Sequence, residues 1–386
     1  MDQDLQDRIT ASLSHADVWK PEFIRLGSAE GDARFQAVLA LPGIQVHDGL
    51  RGQVKELVRS LTPSVRYTPE ELERSAEAHV GGTGWLAYGV WVFYPWSNRL
   101  VHLLDEAEFA LVRTDRNRNK ITREEQAVLS TKRVGVIGLS VGQSIALTMA
   151  LERSFGEIRL ADFDTLDLSN LNRIRSGVHN LGIRKVVNVA REIMEIDPFL
   201  KITCFPEGIT RDNIDAFCTK GGKLDVLVDE CDSVDVKIYA RQTARSLGIP
   251  VVMDTSDRGM IDVERFDLEP NRPILHGLID HLDVEAGARA SSNEAKLPFL
   301  LAMVGFERLS PRMRSSLGEV GKTIVTWPQL SSNVVLGGAV AGDAIRRMFL
   351  GSFKDSGRWR ADMEEILLPA NAEVPEKTKT LTHERN

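Results

Sequence analysis

Gly138-Leu139-Ser140-Val141-Gly142 stands between a short apolar stretch, Arg133 to Gly138, and a segment that reads as a helix from about Gly142. Small residues at a strand–helix turn let the backbone approach a phosphate, and the first turn of the helix presents free N–H groups to it. A Rossmann arrangement adds an acidic residue some 20 positions on, at the end of the next strand, to hold a ribose hydroxyl. Asp162 occupies that place, with Asp164 beside it. The glycine spacing is not a strict G-x-G-x-x-G, so the acid at the strand end carries much of the reading.

Asn170, Ser169 and Arg173 crowd the segment just beyond Asp162, on the side of an open α/β sheet where ligands bind. Lys185 follows at the start of a helix. An arginine and a lysine beside a triphosphate neutralise its charge and steady a pyrophosphate leaving group.

Two other chemistries compete for the same residues. Residues 138–142 also match G-x-S-x-G, the nucleophile elbow of α/β-hydrolases, which makes Ser140 a nucleophile served by Asp254 with His276 or His281. No strand–helix units of that fold precede the elbow, and the reading leaves Asp162 unexplained. A tight turn with no ligand is the plain alternative. In the same spirit Asp162, Asp164 and Asp167 could solvate a strand end. Asp229 and Asp232 could cap the helix near Val234. Gly321-Lys322-Thr323 resembles the end of a P-loop, but Ser316 stands where the first glycine belongs. Trp85, Trp91 and Trp96 read as core and hairpin residues, and His276 and His281 lack metal-ligand spacing.

The elements that must position these residues alternate from Lys132 onward. Arg133–Gly138, Glu157–Ala161, Leu200–Phe205, Leu224–Val228 and Val251–Met253 read as strands. Ile183–Ile196 and Val234–Leu247 read as helices, the second closed by Gly248 with Pro250 beyond. The rhythm predicts an α/β fold, a Rossmann-like parallel sheet with helices on both faces. Residues 290–350 read as largely helical. A mostly helical N-terminal region with a β-hairpin precedes the sheet. Its helix start is Thr68-Pro69-Glu70-Glu71, and its hairpin lies within Trp85 to Leu104 around Pro95-Trp96-Ser97-Asn98. A second helix start is Thr122-Arg123-Glu124-Glu125. The expected division is 1–112, 113–368, and a disordered tail 369–386 rich in Pro, Glu, Lys and Thr.

Composition excludes several partners. A net charge of -7 over 386 residues gives no footprint for nucleic acid or an anionic membrane. No apolar run reaches the length of a membrane span, and the polar N-terminus does not read as a signal peptide. Three cysteines, Cys204, Cys218 and Cys231, form no C-x-x-C pair, so neither a disulfide framework nor a cysteine zinc site is expected. The cytoplasm is the expected compartment.

The run DFDTLDLSNLNR, followed by GIRK, resembles the ThiF/MoeB superfamily, which includes the ubiquitin-activating enzymes. Its hallmark is D-x-D-x-[IV]-x-x-S-N-L-x-R and a lysine about a dozen residues later. The resemblance spans roughly residues 113–265. It implies a ribose-binding role for Asp162, phosphate-side roles for Asn170 and Arg173, and a triphosphate role for Lys185. The strand ending Asp229-Glu230-Cys231-Asp232-Ser233 resembles the family's D-C-T-D-N, which implies a magnesium role for Asp232. Arg113-x-x-Arg116-Asn117 resembles R-x-x-R-Q, whose second arginine reaches into a partner subunit; Arg116, or alternatively Arg118, takes that role. Three departures stand out. Ser140 and Val141 replace two glycines, Ser233 replaces asparagine, and both zinc C-x-x-C pairs are missing, with no cysteine after Cys231.

The resemblance implies a magnesium- and ATP-dependent adenylyltransferase that activates a carboxylate and holds no thioester. The carboxylate belongs to a peptide, a carrier protein or a small acid. A homodimer is implied, and a nitroreductase-like partner is possible by analogy with ThiF-like relatives that carry such a domain. The alternatives are an NAD- or FAD-dependent oxidoreductase using the same loop, and a non-catalytic nucleotide-binding scaffold.

Overall fold

The computed structural model describes residues 5, 6, 10, 14–287 and 293–367. The tail expected at 369–386 lies outside them. The chain separates into two compact units: residues up to Glu124 together with Met194–Phe199, and Glu125–Ile193 with Leu200 onward.

The N-terminal unit is built on a four-stranded sheet of order β1-β3-β4-β2: β1 (Glu22–Ile24), β2 (Gln45–Asp48), β3 (Val90–Tyr94) and β4 (Arg99–Leu103). Among the described residues, the helices α1 (Ala29–Leu39), α2 (Leu50–Leu61), α3 (Pro69–Val80) and α4 (Glu106–Arg113) accompany it. The hairpin β3–β4 forms where the aromatic stretch predicts it, and β3 is buried throughout. The helix start at Thr68 is a complete capping box with Glu71. β1 and β2 add two strands to the expected hairpin. Both are edge strands of three and four residues, and β2 is exposed along its length, so neither has room for a burial alternation.

The second unit holds a seven-stranded sheet of order β11-β10-β9-β8-β5-β6-β7. Its strands are β5 (Arg133–Ile137), β6 (Glu157–Ala161), β7 (Lys201–Phe205), β8 (Val226–Asp229), β9 (Val251–Thr255), β10 (Met260–Glu264) and β11 (Gly357–Arg360). The five strands from β7 to β9 are parallel; β10 and β11 extend the sheet antiparallel. The parallel part is the predicted Rossmann-like sheet. The antiparallel pair was not foreseen, because β10 mixes acids with apolar residues and both faces of it are buried.

Helix α5 (Arg123–Leu129) leads into β5. On one face lie α6 (Gly142–Glu152) and α7 (Lys185–Ile196), joined by the Gln143 side-chain amide donating to Glu192 at 3.0 Å. Opposite, α8 (Ile214–Thr219) and α9 (Val234–Leu247) bury Phe217, Ile238 and Ala240 with Leu227 of β8. The region after β10 is helical as expected: α10 (Val284–Gly287), α11 (Asn293–Val304), α12 (Pro311–Leu317) and α13 (Ser331–Phe349). α13 packs against α6 and β9 through its Gly337, Gly338 and Gly342. No described helix is long and apolar enough to cross a membrane.

Candidate functional site

The strand order reverses direction between β5 and β8, and in an open parallel sheet that reversal opens a crevice at the strands' carboxyl ends. After β5 the chain turns at Gly138 with φ +84°, a conformation that glycine takes without a Cβ penalty. A Cβ at Gly138 would also stand 2.6 Å from the Glu230 carbonyl, so the loop lies directly against the exit of β8. At Gly142 a Cβ would stand 2.7 Å from Val136 Cγ1. Both glycines are therefore demanded by close packing.

The Gly138 N–H donates to the Ala161 carbonyl at 2.9 Å, and the Leu139 N–H donates to Asp162 Oδ2 at 2.7 Å. Asp162 Oδ1 accepts the Asp164 N–H at 2.8 Å. Burial pushes the Asp162 carboxyl pKa up, against these two N–H bonds. Asp162 thus ties the end of β6 to the loop after β5. α6 then begins at Gly142, and its N-cap Val141 offers no side-chain cap; the Ser144 N–H donates to the Val141 carbonyl at 2.9 Å, and no side chain caps the N–H groups ahead of it.

Charged side chains converge on that helix start. Arg173 Nε donates to Ser140 Oγ at 2.9 Å, and its Nη1 donates to Asn172 Oδ1 at 2.9 Å. Arg173 is carried on a short 3-10 turn, Leu168–Asn172, which Asn170 closes by accepting the Asp167 N–H at 3.0 Å. Lys185, buried at the start of α7, holds Asp164 Oδ2 at 2.8 Å. Asp232 is exposed just beyond β8. Burial lowers the Arg173 pKa while the Asp232 carboxylate opposes that shift, so the two share one field. The N-cap of α9 is Ser233, which makes no side-chain cap bond, so Asp232 is not the cap of that helix.

The fold therefore gathers Gly138, Ser140, Gly142, Asp162, Asp164, Asn170, Arg173, Lys185 and Asp232 at the carboxyl ends of β5, β6 and β8. Arg116 belongs to the N-terminal unit, where it is exposed in the turn Asp115–Asn117. Arg118 holds Asp115 Oδ1 at 2.7 Å.

The hydrolase alternative is not assembled. Ser140 Oγ is bonded to Arg173, while His276 Nε2 pairs with Asp262 Oδ1 at 2.9 Å. Asp254 reaches neither, since both of its carboxylate oxygens are buried without a hydrogen-bond partner.

Glu230 and Asp254 are buried acids that the sequence reading did not assign to the crevice. They end adjacent strands, β8 and β9, and the Asp254 N–H donates to Glu230 Oε1 at 2.7 Å. Burial raises both pKa values, Glu230 with added repulsion from Asp254 and Asp254 to about 7. A side chain at Gly337 of α13 would overlap the Asp254 carboxylate, so glycine there makes room for the acid. The signal in the sequence was their position at strand ends; nothing in it placed residues 24 apart side by side. Below them, Arg241 pairs with Asp229 and holds Glu264 at 2.6 Å, and Lys237 Nζ stands 3.3 Å from Asp229. Although burial opposes it, Lys237 and Arg241 hold Asp229 down at about 2. These pairs fix the end of β8. A cavity of about 180 Å3 opens in front, lined by Val141, Asp232, Asp254 and the apolar Leu300, Met313 and Trp327 among others.

Residues 114–305 match the ThiF family. An uncharacterized Mycobacterium tuberculosis protein, MT1398, is 44% identical over 277 residues, 72% of this chain and 38% of that protein. The tRNA threonylcarbamoyladenosine dehydratase 2 of Saccharomyces cerevisiae is 31% identical over 125 residues, 32% of this chain and 28% of that protein. The chain thus spans well under half the length of these two relatives. The solved E. coli tRNA N6-threonylcarbamoyladenosine dehydratase superposes with a TM-score of 0.46 at 18% identity, covering 64% of this chain and 98% of that one. Residues 114–305 are a ThiF family domain, with homologues in the ThiF/MoeB superfamily.

Proposed function

We propose that the chain is an ATP-dependent adenylyltransferase that activates a carboxylate as an acyl-adenylate. The observation that carries this reading is the uncapped start of α6 at the crevice, with Arg173 on Ser140 and Lys185 close by on Asp164. A first turn without a side-chain cap and two cations close by suit a polyphosphate. In the reaction a carboxylate oxygen attacks the α-phosphorus, the bond to the bridging oxygen of the β-phosphate breaks, and pyrophosphate leaves with the electron pair. Arg173 and Lys185 neutralise charge on the phosphates as it shifts to the leaving group. Asp162 has lone pairs beyond the two N–H bonds it accepts, and those suit a ribose hydroxyl.

Asp232 is an exposed carboxylate at the crevice, and one carboxylate with substrate phosphates is a donor set that Mg2+ accepts. Bound there, the ion would screen the phosphates from an anionic nucleophile. The substrate acid is a peptide or carrier-protein C-terminus or a small acid. A second copy of the chain contributes Arg116.

The test is ATP–pyrophosphate exchange across a panel of peptides and small acids. Exchange that depends on a particular acid and is lost in Lys185→Ala supports the reading. A protein stabilised by NAD and not by ATP, with no exchange for any acid, would make the oxidoreductase alternative the better one.

A further inference from the structure

A second cavity, of about 140 Å3, shares no lining residue with the first and is lined by Arg272, His276, Arg308 and Arg358, with Leu278, Ala302 and two glycines completing it. The volume is well above the ~10–15 Å3 that one water needs, so a multi-atom ligand fits. Its charge is one-sided, because three guanidinium groups and an imidazole line it and no carboxylate does. The glycines, Gly305 and Gly357, leave its wall without side chains at two points.

The acids that balance these cations sit behind them. Arg358 Nε holds Asp262 Oδ2 at 2.6 Å, and His276 Nε2 pairs with Asp262 Oδ1 at 2.9 Å. Asp262 is buried, which alone would raise its pKa, but Arg358 and His276 hold it well below the usual carboxylate range. Arg272 Nη1 holds Glu269 at 2.5 Å and spends its other nitrogens on His276 Nδ1. One donor of Arg358 nevertheless remains without a partner. Arg358 Nη1 donates to the Met303 carbonyl at 2.8 Å, but its Nη2 is buried without a hydrogen-bond partner. The Arg358 side chain is only 9% exposed. A buried guanidinium nitrogen left without an acceptor is costly, and an anion in the adjoining cavity would relieve that cost.

We propose that this cavity binds a compact oxyanion, a phosphate or carboxylate group, through Arg358 with Arg272 and Arg308. The site is separate from the nucleotide crevice and does not depend on the adenylation reading. It adds a ligand group, either a remote anionic part of the substrate or a free anion that stabilises the helical region after β10.

The test titrates the full chain, without nucleotide, with inorganic phosphate and separately with acetate. Chloride at matched ionic strength is the control, and melting temperature and calorimetric heat are the readouts. Three variants separate the two places where phosphate could bind. Arg308→Gln removes an exposed lining charge and leaves the buried pairs intact; Arg358→Lys keeps the charge and loses the fork; Lys185→Ala alters only the crevice. Saturable binding that weakens roughly tenfold or more in Arg308→Gln and persists in Lys185→Ala is the expected result. Acetate binding as well as phosphate assigns the site to carboxylates, and phosphate alone assigns it to phosphate. If Arg358→Lys fails to fold, Arg308→Gln decides. No saturable binding beyond chloride, or binding that is lost in Lys185→Ala and unchanged in Arg308→Gln, overturns the proposal.

Discussion

Replacing Asp254 with asparagine should stabilise the protein at alkaline pH. The acid is buried on β9, both its oxygens lack hydrogen-bond partners, and burial raises its pKa from 3.8 to about 7. In the folded chain Asp254 therefore keeps a proton that the unfolded chain has already released between those two values. The unfolded state binds fewer protons in that window, so stability falls as pH rises through it and stays lost above pH 7. At ~1.36 kcal/mol per pKa unit, the displacement costs roughly 4 kcal/mol above the window. Glu230, whose N–H-accepting carboxylate lies beside Asp254 and is itself raised, contributes with the same sign; Lys237 opposes it. Asparagine cannot ionise, but it brings a buried amide into a place without acceptors, at about 1–3 kcal/mol. The net gain expected at about pH 8.5 is about 1–3 kcal/mol, turning into a loss near pH 4, where aspartic acid is neutral. Hydrogen exchange of peptides from β8 and β9 reads the stability of this unit alone. Protection of the wild type that is unchanged from about pH 5 to 8.5 after correction for intrinsic exchange, with Asp254→Asn weaker at both, would refute the argument.

Three further outcomes follow from the crevice. Asp232→Ala should cost on the order of a hundredfold or more in pyrophosphate exchange while the melting temperature holds, since α9 draws no cap from it; a lowered melting temperature with normal exchange would return Asp232 to a structural role. Ser140→Ala should keep exchange within about tenfold, because Ser140 only accepts a bond from Arg173; labelling of Ser140 by a serine-reactive phosphonate would contradict this. Light scattering should find a dimer, and Arg116→Ala combined with Arg118→Ala should abolish exchange; a fully active monomer would remove the borrowed arginine from the mechanism.

Much of the crevice was legible in order along the chain. The loop at Gly138, the acid at Asp162 and the run through Asn170, Arg173 and Lys185 are local features. Each is set by strand–helix punctuation and by residue types whose chemistry does not depend on what lies opposite. The strands of the parallel sheet could be read as short apolar runs between turn signals, and α9 from apolar residues at helical spacing closed by Gly248. Three things needed the tertiary structure. The short edge strands β1 and β2 carry too few residues for a pattern, and pairing alone makes them strands. The reversal between β5 and β8 is a choice of strand order that no local signal encodes, yet it brings Asp232 to the loop at Gly138. The buried acids Glu230 and Asp254, like the arginines around the second cavity, are distant in sequence or ordinary singly. The raised pKa values of the two acids, and the unpartnered atoms of Asp254 and Arg358, arise from burial, which is a property of packing.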